Sequence, residues 1–226
     1  MDTEHCDFCN EFSGKRENAF DRIYAGQPRS RILYRSDSFV VIPSMGQIVE
    51  GYLLVVPVRH WTALGDIPSL FVEELTSICE RIRTALRQEY GSCIFFEHGT
   101  RSKIAGGCGI YHSHLHAVPC PEVLEPTISL ISRFPSVEFE NLQDVKKLTE
   151  GLTSYLFYQN SQGKSRILYP DRLTSQYMRR LLGELLGNLQ WDWRIAGREE
   201  RLLATLNRLS NYFESPRFPL ELHVCK

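Results

Sequence analysis

The chain has no strong charge of either sign, no long apolar run and no paired set of cysteines. Its 226 residues carry 26 Lys and Arg against 27 Asp and Glu, a net charge of -1. So even a balance gives no electrostatic footprint for nucleic acid, although a local basic pocket for phosphate is compatible with it. The longest apolar run, residues 52–58, falls far short of the ~20 residues needed to span a bilayer. The first ten residues, MDTEHCDFCN, hold neither a basic nor an apolar block, so no secretory signal and no membrane association are expected. Seven cysteines are an odd number, scattered outside one close pair. That argues against a disulfide framework and for a reducing, cytoplasmic setting. Apolar content of 42% and charged content of 23% are those of an ordinary globular chain.

Histidine is also scarce, seven in all, yet three stand at a spacing of two: His112, His114 and His116, in Tyr-His-Ser-His-Leu-His-Ala-Val-Pro. Apolar neighbours predict a strand over residues 110–118. Side chains alternate along a strand, so the three imidazoles would share one face while Leu115 and Ala117 meet a core. Such a row makes a poor core and a good site. Imidazole titrates near neutrality, with an unperturbed pKa of ~6.5, and can serve as metal ligand, nucleophile or orienting partner. A row that only binds metal is the second reading.

Strands are expected over residues 31–35, 39–43, 52–57 and 93–96, and a long amphipathic helix over 68–89 with Pro68 in its first turn. Between residues 99 and 109 lies a glycine-rich loop carrying Arg101 and Lys103, suited to bringing backbone N–H groups to an anion. Pro119, Pro126 and Pro135 mark a joint, dividing the chain into residues 1–120 and 121–226. The second part predicts a helix over 141–152, a hairpin of 155–159 with 166–169, and helices over 173–186 and 199–212. This segregated order of elements argues for an α+β fold with a mainly antiparallel sheet and a C-terminal helix and hairpin extension.

Cys6-Asp-Phe-Cys9 is a pair with the spacing of two zinc ligands. A second pair is missing, so two ligands would have to come from histidines, among them His5, His60, His98 and the row. A redox pair or two unpaired thiols are the other readings; no thioredoxin-like βαβ pattern surrounds it.

His-Ser-His-Leu-His-Ala-Val resembles the His-x-His-x-His-x-x signature of the histidine-triad (HIT) superfamily. The resemblance extends over the first ~120 residues through Gly51-Tyr-Leu-Leu-Val-Val-Pro-Val-Arg-His60, through Phe96-Glu-His-Gly99 and through the glycine loop. With Cys-x-x-Cys it is similar to the zinc-containing, longer-chain branch. That resemblance implies a small antiparallel α+β domain, a homodimer and a nucleotide-containing substrate. It implies that His114 attacks the α-phosphorus to form a nucleotidyl-histidine, with His112 and His116 as its catalytic neighbours, and that Cys6, Cys9, His60 and His112 hold a structural zinc. Activity would be that of a nucleotidyl hydrolase. A transferase handing the group to a phosphate-bearing acceptor, or a non-catalytic nucleotide- and zinc-binding module, remain open.

The chain departs from the small members in three places. Tyr52 stands where many have histidine; it can donate a hydrogen bond but cannot titrate near neutrality. Cys108 and Gly109 stand where a Gln and a hydroxyl residue precede the triad, and the ribose-binding Asp is missing from Pro43-Ser-Met-Gly. Candidate substrate contacts are therefore His98, Arg101, Lys103, Gly107, Cys108 and Gly109. Gln176 and Arg179 of the second half are candidates for the distal part of the substrate. A solvated helix face, with Trp191 and Trp193 packing a corner, is the plainer reading of that segment.

Overall fold

The computed structural model describes residues 5–102 and 109–213. Lys103, Gly107 and Cys108, and with them most of the glycine loop, lie outside the described residues.

The chain begins with two short helices, α1 (Asp7–Phe12) and α2 (Ala19–Tyr24). Strands β1 (Tyr34–Arg35), β2 (Phe39–Pro43) and β3 (Leu53–Pro57) follow, then a long helix α3 (Val72–Tyr90), then β4 (Cys93–Thr100) and β5 (Leu115–Pro119). The remainder holds α4 (Thr127–Arg133), β6 (Ser136–Phe139), α5 (Asp144–Leu148), β7 (Ser154–Gln159), β8 (Ser165–Leu168), α6 (Tyr177–Leu185) and α7 (Glu199–Phe213). All eight strands form one antiparallel sheet in the order β1-β2-β3-β5-β4-β7-β8-β6. The fold is α+β with an antiparallel sheet, as the order of elements led one to expect.

The sheet is covered on both sides, which is why its central strands read as unbroken apolar runs. Phe39, Val41, Leu53, Val55, Phe95, Leu115, Ala117, Tyr155 and Phe157 point to one core, where α3 contributes Leu75, Ile78 and Ile82 and α7 contributes Leu209 and Phe213. Val40, Ile42, Leu54, Val56, Ile94, Phe96, Val118, Leu156 and Tyr158 point to the other, against Phe8 and Phe12 of α1 and Met178 and Leu182 of α6. Sequence neighbours thus separate strictly by the two-residue period of a strand.

Four expectations need correction. The histidine strand is shorter than residues 110–118: it starts at Leu115. Ahead of it Ser113 spends its N–H on the Trp61 carbonyl, 2.6 Å away, rather than on a ladder. The strand before the loop runs on to Thr100, past residue 96, because Glu97, His98, Gly99 and Thr100 find register partners on β7. The helix expected over 141–152 shrinks to Asp144–Leu148. The helix expected over 173–186 begins only at Tyr177, because Gln176 sits in the left-handed region with φ 59, a conformation that ends helical pairing. Strand β6 and helices α1, α2 and α4 carried no sequence signal strong enough to place them. They are short, and tertiary contacts rather than propensity hold them.

Candidate active site and metal centre

Three segments meet at the mouth of the sheet. Residues 5–12 bring Cys6, Phe8 and Cys9; the turn after β3 brings His60; the stretch into β5 brings the histidine row. The potential donor atoms of Cys6, Cys9, His60 and His112 all lie within 4.8 Å of one another. Cys6 Sγ is 3.3 Å and Cys9 Sγ 3.6 Å from His112 Nδ1, and Cys9 Sγ is 3.4 Å from His60 Nδ1. Sulfur and nitrogen ligands of one tetrahedral zinc, at their usual bond lengths, stand about 3.6 Å apart. His112 Nε2 donates to the Pro57 carbonyl at 2.8 Å, which turns the lone pair of Nδ1 towards the sulfurs. Burial, and next the neighbouring Cys6, push the Cys9 thiol up to about 12. Two thiols that oppose each other's ionisation are what a dication relieves. The set is thus compatible with zinc, and four protein ligands are the number of a structural site.

The row continues inward from this cluster. The rings of His60 and His112 stand 4.7 Å apart, and those of His114 and His116 also 4.7 Å. His114 Nδ1 donates to the His112 carbonyl at 2.7 Å. A carbonyl only accepts, so the proton sits on Nδ1 and the lone pair on Nε2. Burial lowers the basicity of His114, keeping it neutral. His116 lies flat on Phe96, centroids 4.3 Å apart and planes 7° from parallel, and faces Phe96 and Leu54 in the strand register. Its Nδ1 is 2.7 Å from Tyr52 Oη. Burial holds the Tyr52 phenol up to about 12 and pushes His116 well down. The phenol therefore donates, and His116 keeps its proton on Nε2. The departure at Tyr52 thus leaves the end of the row with a hydrogen-bond partner.

Behind the row lies a residue that sequence reasoning missed. Glu97, 1% exposed, accepts from the Leu64 N–H at 2.8 and 3.0 Å, from Ser113 Oγ at 2.5 Å and from Tyr155 Oη at 2.9 Å. Burial raises its pKa, while these donors and His114 pull the other way. One carboxylate so anchors the irregular segment between His112 and His114 from the core side. The only signal for it was an acidic residue in an apolar strand run, where charge is rare without partners.

In front of the row lies a cleft of about 490 Å³, its open mouth included, lined by Phe8, Met45, His98, His114, His116 and Trp193 among others. Gly109, Gln176 and Arg179 also line it. His98 is buried and accepts the Met178 N–H on Nε2 at 3.3 Å, so Nδ1 carries its proton; burial lowers its pKa to about 3. Arg101 is not brought there. Its guanidinium pairs with Asp66 at 2.6 Å and with the carbonyls of Thr149 and Leu152.

Gln176 and Arg179 reach the cleft, but their polar atoms are engaged in holding the turn at residues 191–194. Gln176 Nε2 donates to Asp192 Oδ1 at 2.8 Å. Arg179 Nε donates to the Trp191 carbonyl at 2.9 Å, and its Nη atoms to Ser44 Oγ and the Gly46 carbonyl. The turn presses Trp193 so close that a Cβ on Gly46 would lie 2.6 Å from Trp193 Cα, and one on Gly109 would lie 2.8 Å from Arg194 Nη2. Glycine is needed at position 46, where the neighbour is backbone, whereas at Gly109 the neighbour is the end of an arginine that can shift.

A family model described as "Scavenger mRNA decapping enzyme C-term binding" matches residues 17–123. A curated relative, "Adenylylsulfatase HINT3" of Arabidopsis thaliana, is 27% identical over 103 residues, 46% of this chain and 52% of that protein. The match thus spans about half the length of that relative. Among solved structures, a zinc-bound histidine triad family protein from Mycobacterium smegmatis aligns with a TM-score of 0.38 at 21% identity, covering 53% of this chain and 77% of that one. A hypothetical histidine triad nucleotide-binding protein from Sulfolobus tokodaii gives 0.38 at 13% identity, covering 93% and 100%. The chain is thus similar to histidine-triad proteins over about half of its length. Among the described residues, no helix is long and apolar enough to cross a membrane.

Proposed function

We propose that this protein is a nucleotidyl hydrolase acting at the α-phosphate of a nucleoside-phosphate compound, with His114 as the nucleophile. The observation that carries the reading is the bond from His114 Nδ1 to the His112 carbonyl, which leaves the Nε2 lone pair of a neutral imidazole in the cleft. In the first step Nε2 attacks the α-phosphorus, a P–N bond forms, and the bond to the leaving group breaks with its electron pair. The Nδ1 proton stays on the carbonyl bond and stabilises the imidazolium that results. In the second step water attacks the phosphorus, the P–N bond breaks, and the nucleoside monophosphate leaves as His114 regains its lone pair. His116 offers Nε2–H, and His98 offers Nδ1–H, to oxygens that gain charge.

Cys6, Cys9, His60 and His112 would hold zinc, which fixes the start of the row and leaves no open coordination position. Substrate candidates are dinucleoside polyphosphates, nucleoside phosphoramidates, nucleotide-activated sugars and adenylylated anions; adenylyl sulfate enters the set through the name of the Arabidopsis relative.

The test is release of nucleoside monophosphate across such a panel by wild type and His114→Ala. Release that the variant abolishes supports the reading, and the best leaving group defines the substrate class. Release only when a phosphate-bearing acceptor is added turns it into a transferase. Binding of nucleotide without turnover, with or without acceptor, overturns it in favour of a binding module.

A further inference from the structure

We infer that Phe8 is a positioning residue that links the Cys6–Cys9–His60–His112 cluster to the orientation of His114. The inference rests on the nucleophilic role and the zinc site proposed above. Phe8 lies inside the Cys-x-x-Cys turn, between two of the four candidate ligands, with Cys6 capping α1 in an extended conformation. Its ring is 1% exposed. It stands edge-on to His112, centroids 5.7 Å apart at 89°, and to His114, 5.5 Å apart at 62°. The opposite support is Phe12, stacked at 5.9 Å and 10°. The same ring lines the cleft. One side chain therefore touches a candidate metal ligand, the nucleophile and the substrate space at once.

The geometry gives the contact a consequence. The bond from His114 Nδ1 to the His112 carbonyl fixes one edge of the imidazole, and the His116 ring 4.7 Å away bounds one side. Phe8 is the aromatic neighbour on the side of the metal cluster. α1 is held by Phe8 and Phe12 in the core, by the Arg22–Asp7 and Arg31–Glu11 ion pairs at 2.8 and 2.7 Å, and, at the end facing the histidine row, by the two thiols. With the four donors drawn together, α1 is pinned and Phe8 is pressed against His114. With the metal lost, the two thiols no longer tie the start of α1 to His60 and His112, the Phe8 ring, still in the core, loses its fixed setting against His114, and the imidazole gains rotational freedom. Coupling of this kind passes through contiguous packed groups, and small losses of alignment in a nucleophile reduce the rate steeply.

The test compares wild type, Phe8→Leu and Phe8→Tyr, zinc-loaded and after chelation under reductant. The readouts are zinc per chain by mass spectrometry, the ring-nitrogen NMR signals of His114 (assigned with His114→Ala), and kcat and KM. Expected for loaded Phe8→Leu are retained zinc, a His114 pattern averaged between tautomers, kcat lower by about tenfold or more and KM within about twofold. Phe8→Tyr, which keeps the ring, retains zinc and the wild-type His114 pattern. Chelated wild type gives the averaged pattern of Phe8→Leu, and chelating Phe8→Leu changes it little further, since the two perturbations act on one link.

Four results overturn the inference. They are an unchanged His114 pattern in Phe8→Leu, loss of zinc in that variant, a raised KM with kcat intact, and a His114 pattern indifferent to metal removal. If the stripped chain unfolds, the loaded Phe8→Leu spectrum decides alone. If Phe8→Leu does not fold, Phe8→Met, closer in volume, takes its place. A wild type that turns over nothing on the panel sinks the proposed hydrolase, while the ring spectra still decide the coupling.

Discussion

The two ends of the histidine row are held by opposite kinds of chemistry. At the His112 end the partners are two thiols and another imidazole, a donor set that asks for a cation. At the His116 end they are a phenol, the flat face of Phe96 and the buried His98, a set that excludes one. His114 stands between them, its ring beside that of His116 and its Nδ1 bonded to the backbone of His112. In the proposed reading one short segment would serve as ligand and as catalyst. A metal at one end would fix position and the buried hydrogen bond at the other would fix protonation, so that the middle ring is both placed and neutral.

The sharpest test of this contrast is at the middle. His114→Ala is expected to lower turnover on the order of 10³-fold or more while leaving zinc content and melting temperature near wild type. Loss of zinc in that variant would break the division of labour. Next in size is the metal end. Cys6→Ser, or chelation, is expected to remove zinc and lower the melting temperature by about 10 °C or more, because structural zinc binding contributes several kcal/mol to folding. Tyr52→Phe should do the converse: zinc stays, and kcat falls about tenfold through loss of one buried hydrogen bond to His116. Zinc analysis beside steady-state kinetics on both variants separates the two ends, and parallel losses in both would erase the distinction.

Two further comparisons extend outward. Trp193→Ala is expected to raise KM about tenfold, since a cleft wall of this size contributes ~1–3 kcal/mol to a stacked ligand. Arg101→Ala, on an arginine held away from the cleft, should leave KM unchanged and lower stability by about 1–3 kcal/mol. If the effects on KM were reversed, the placement of Trp193 in the cleft wall and of Arg101 outside it would be wrong.

The smallest effect concerns pH. Burial holds His98 at about 3, below the ~6.5 of an unfolded chain. The unfolded state then binds the extra proton first. The stabilising contribution of His98 is fully present above pH ~6.5 and is lost as the pH falls towards 3, at up to about 1.4 kcal/mol per pH unit. Urea unfolding between pH 7 and 5 should show wild type losing stability faster than His98→Gln, whose amide oxygen can still accept the Met178 N–H. Equal slopes would mean that His98 is not kept neutral in the fold.

What the sequence made legible follows from periodicity. The unbroken apolar runs at residues 39–43 and 53–57, the hairpin around 160–164 and the helical spacing after Val72 depend on local rules, and the structure follows them closely. The row and the cysteine pair were visible because scarce residues at fixed spacings are hard to explain as packing. Glu97, Phe8 and Trp193 were not visible as site residues. Each is an ordinary residue type whose importance depends on what the fold sets against it. Gln176 and Arg179 were placed at the site by composition, yet their polar groups serve the turn that carries Trp193.

The sequence by itself determined the α+β order of elements, the three histidines and the existence of a thiol pair, because these reside in local spacing and in residue chemistry. Only the tertiary structure decided that Cys6 and His112, 106 residues apart, lie 3.3 Å from each other. It also decided that Arg101 turns away from the cleft and that the turn at residues 191–194 closes it. The reason is physical: spacing along a chain limits which side chains share a strand face or a helix turn, but which faces meet is settled by burying two apolar sides of one sheet together.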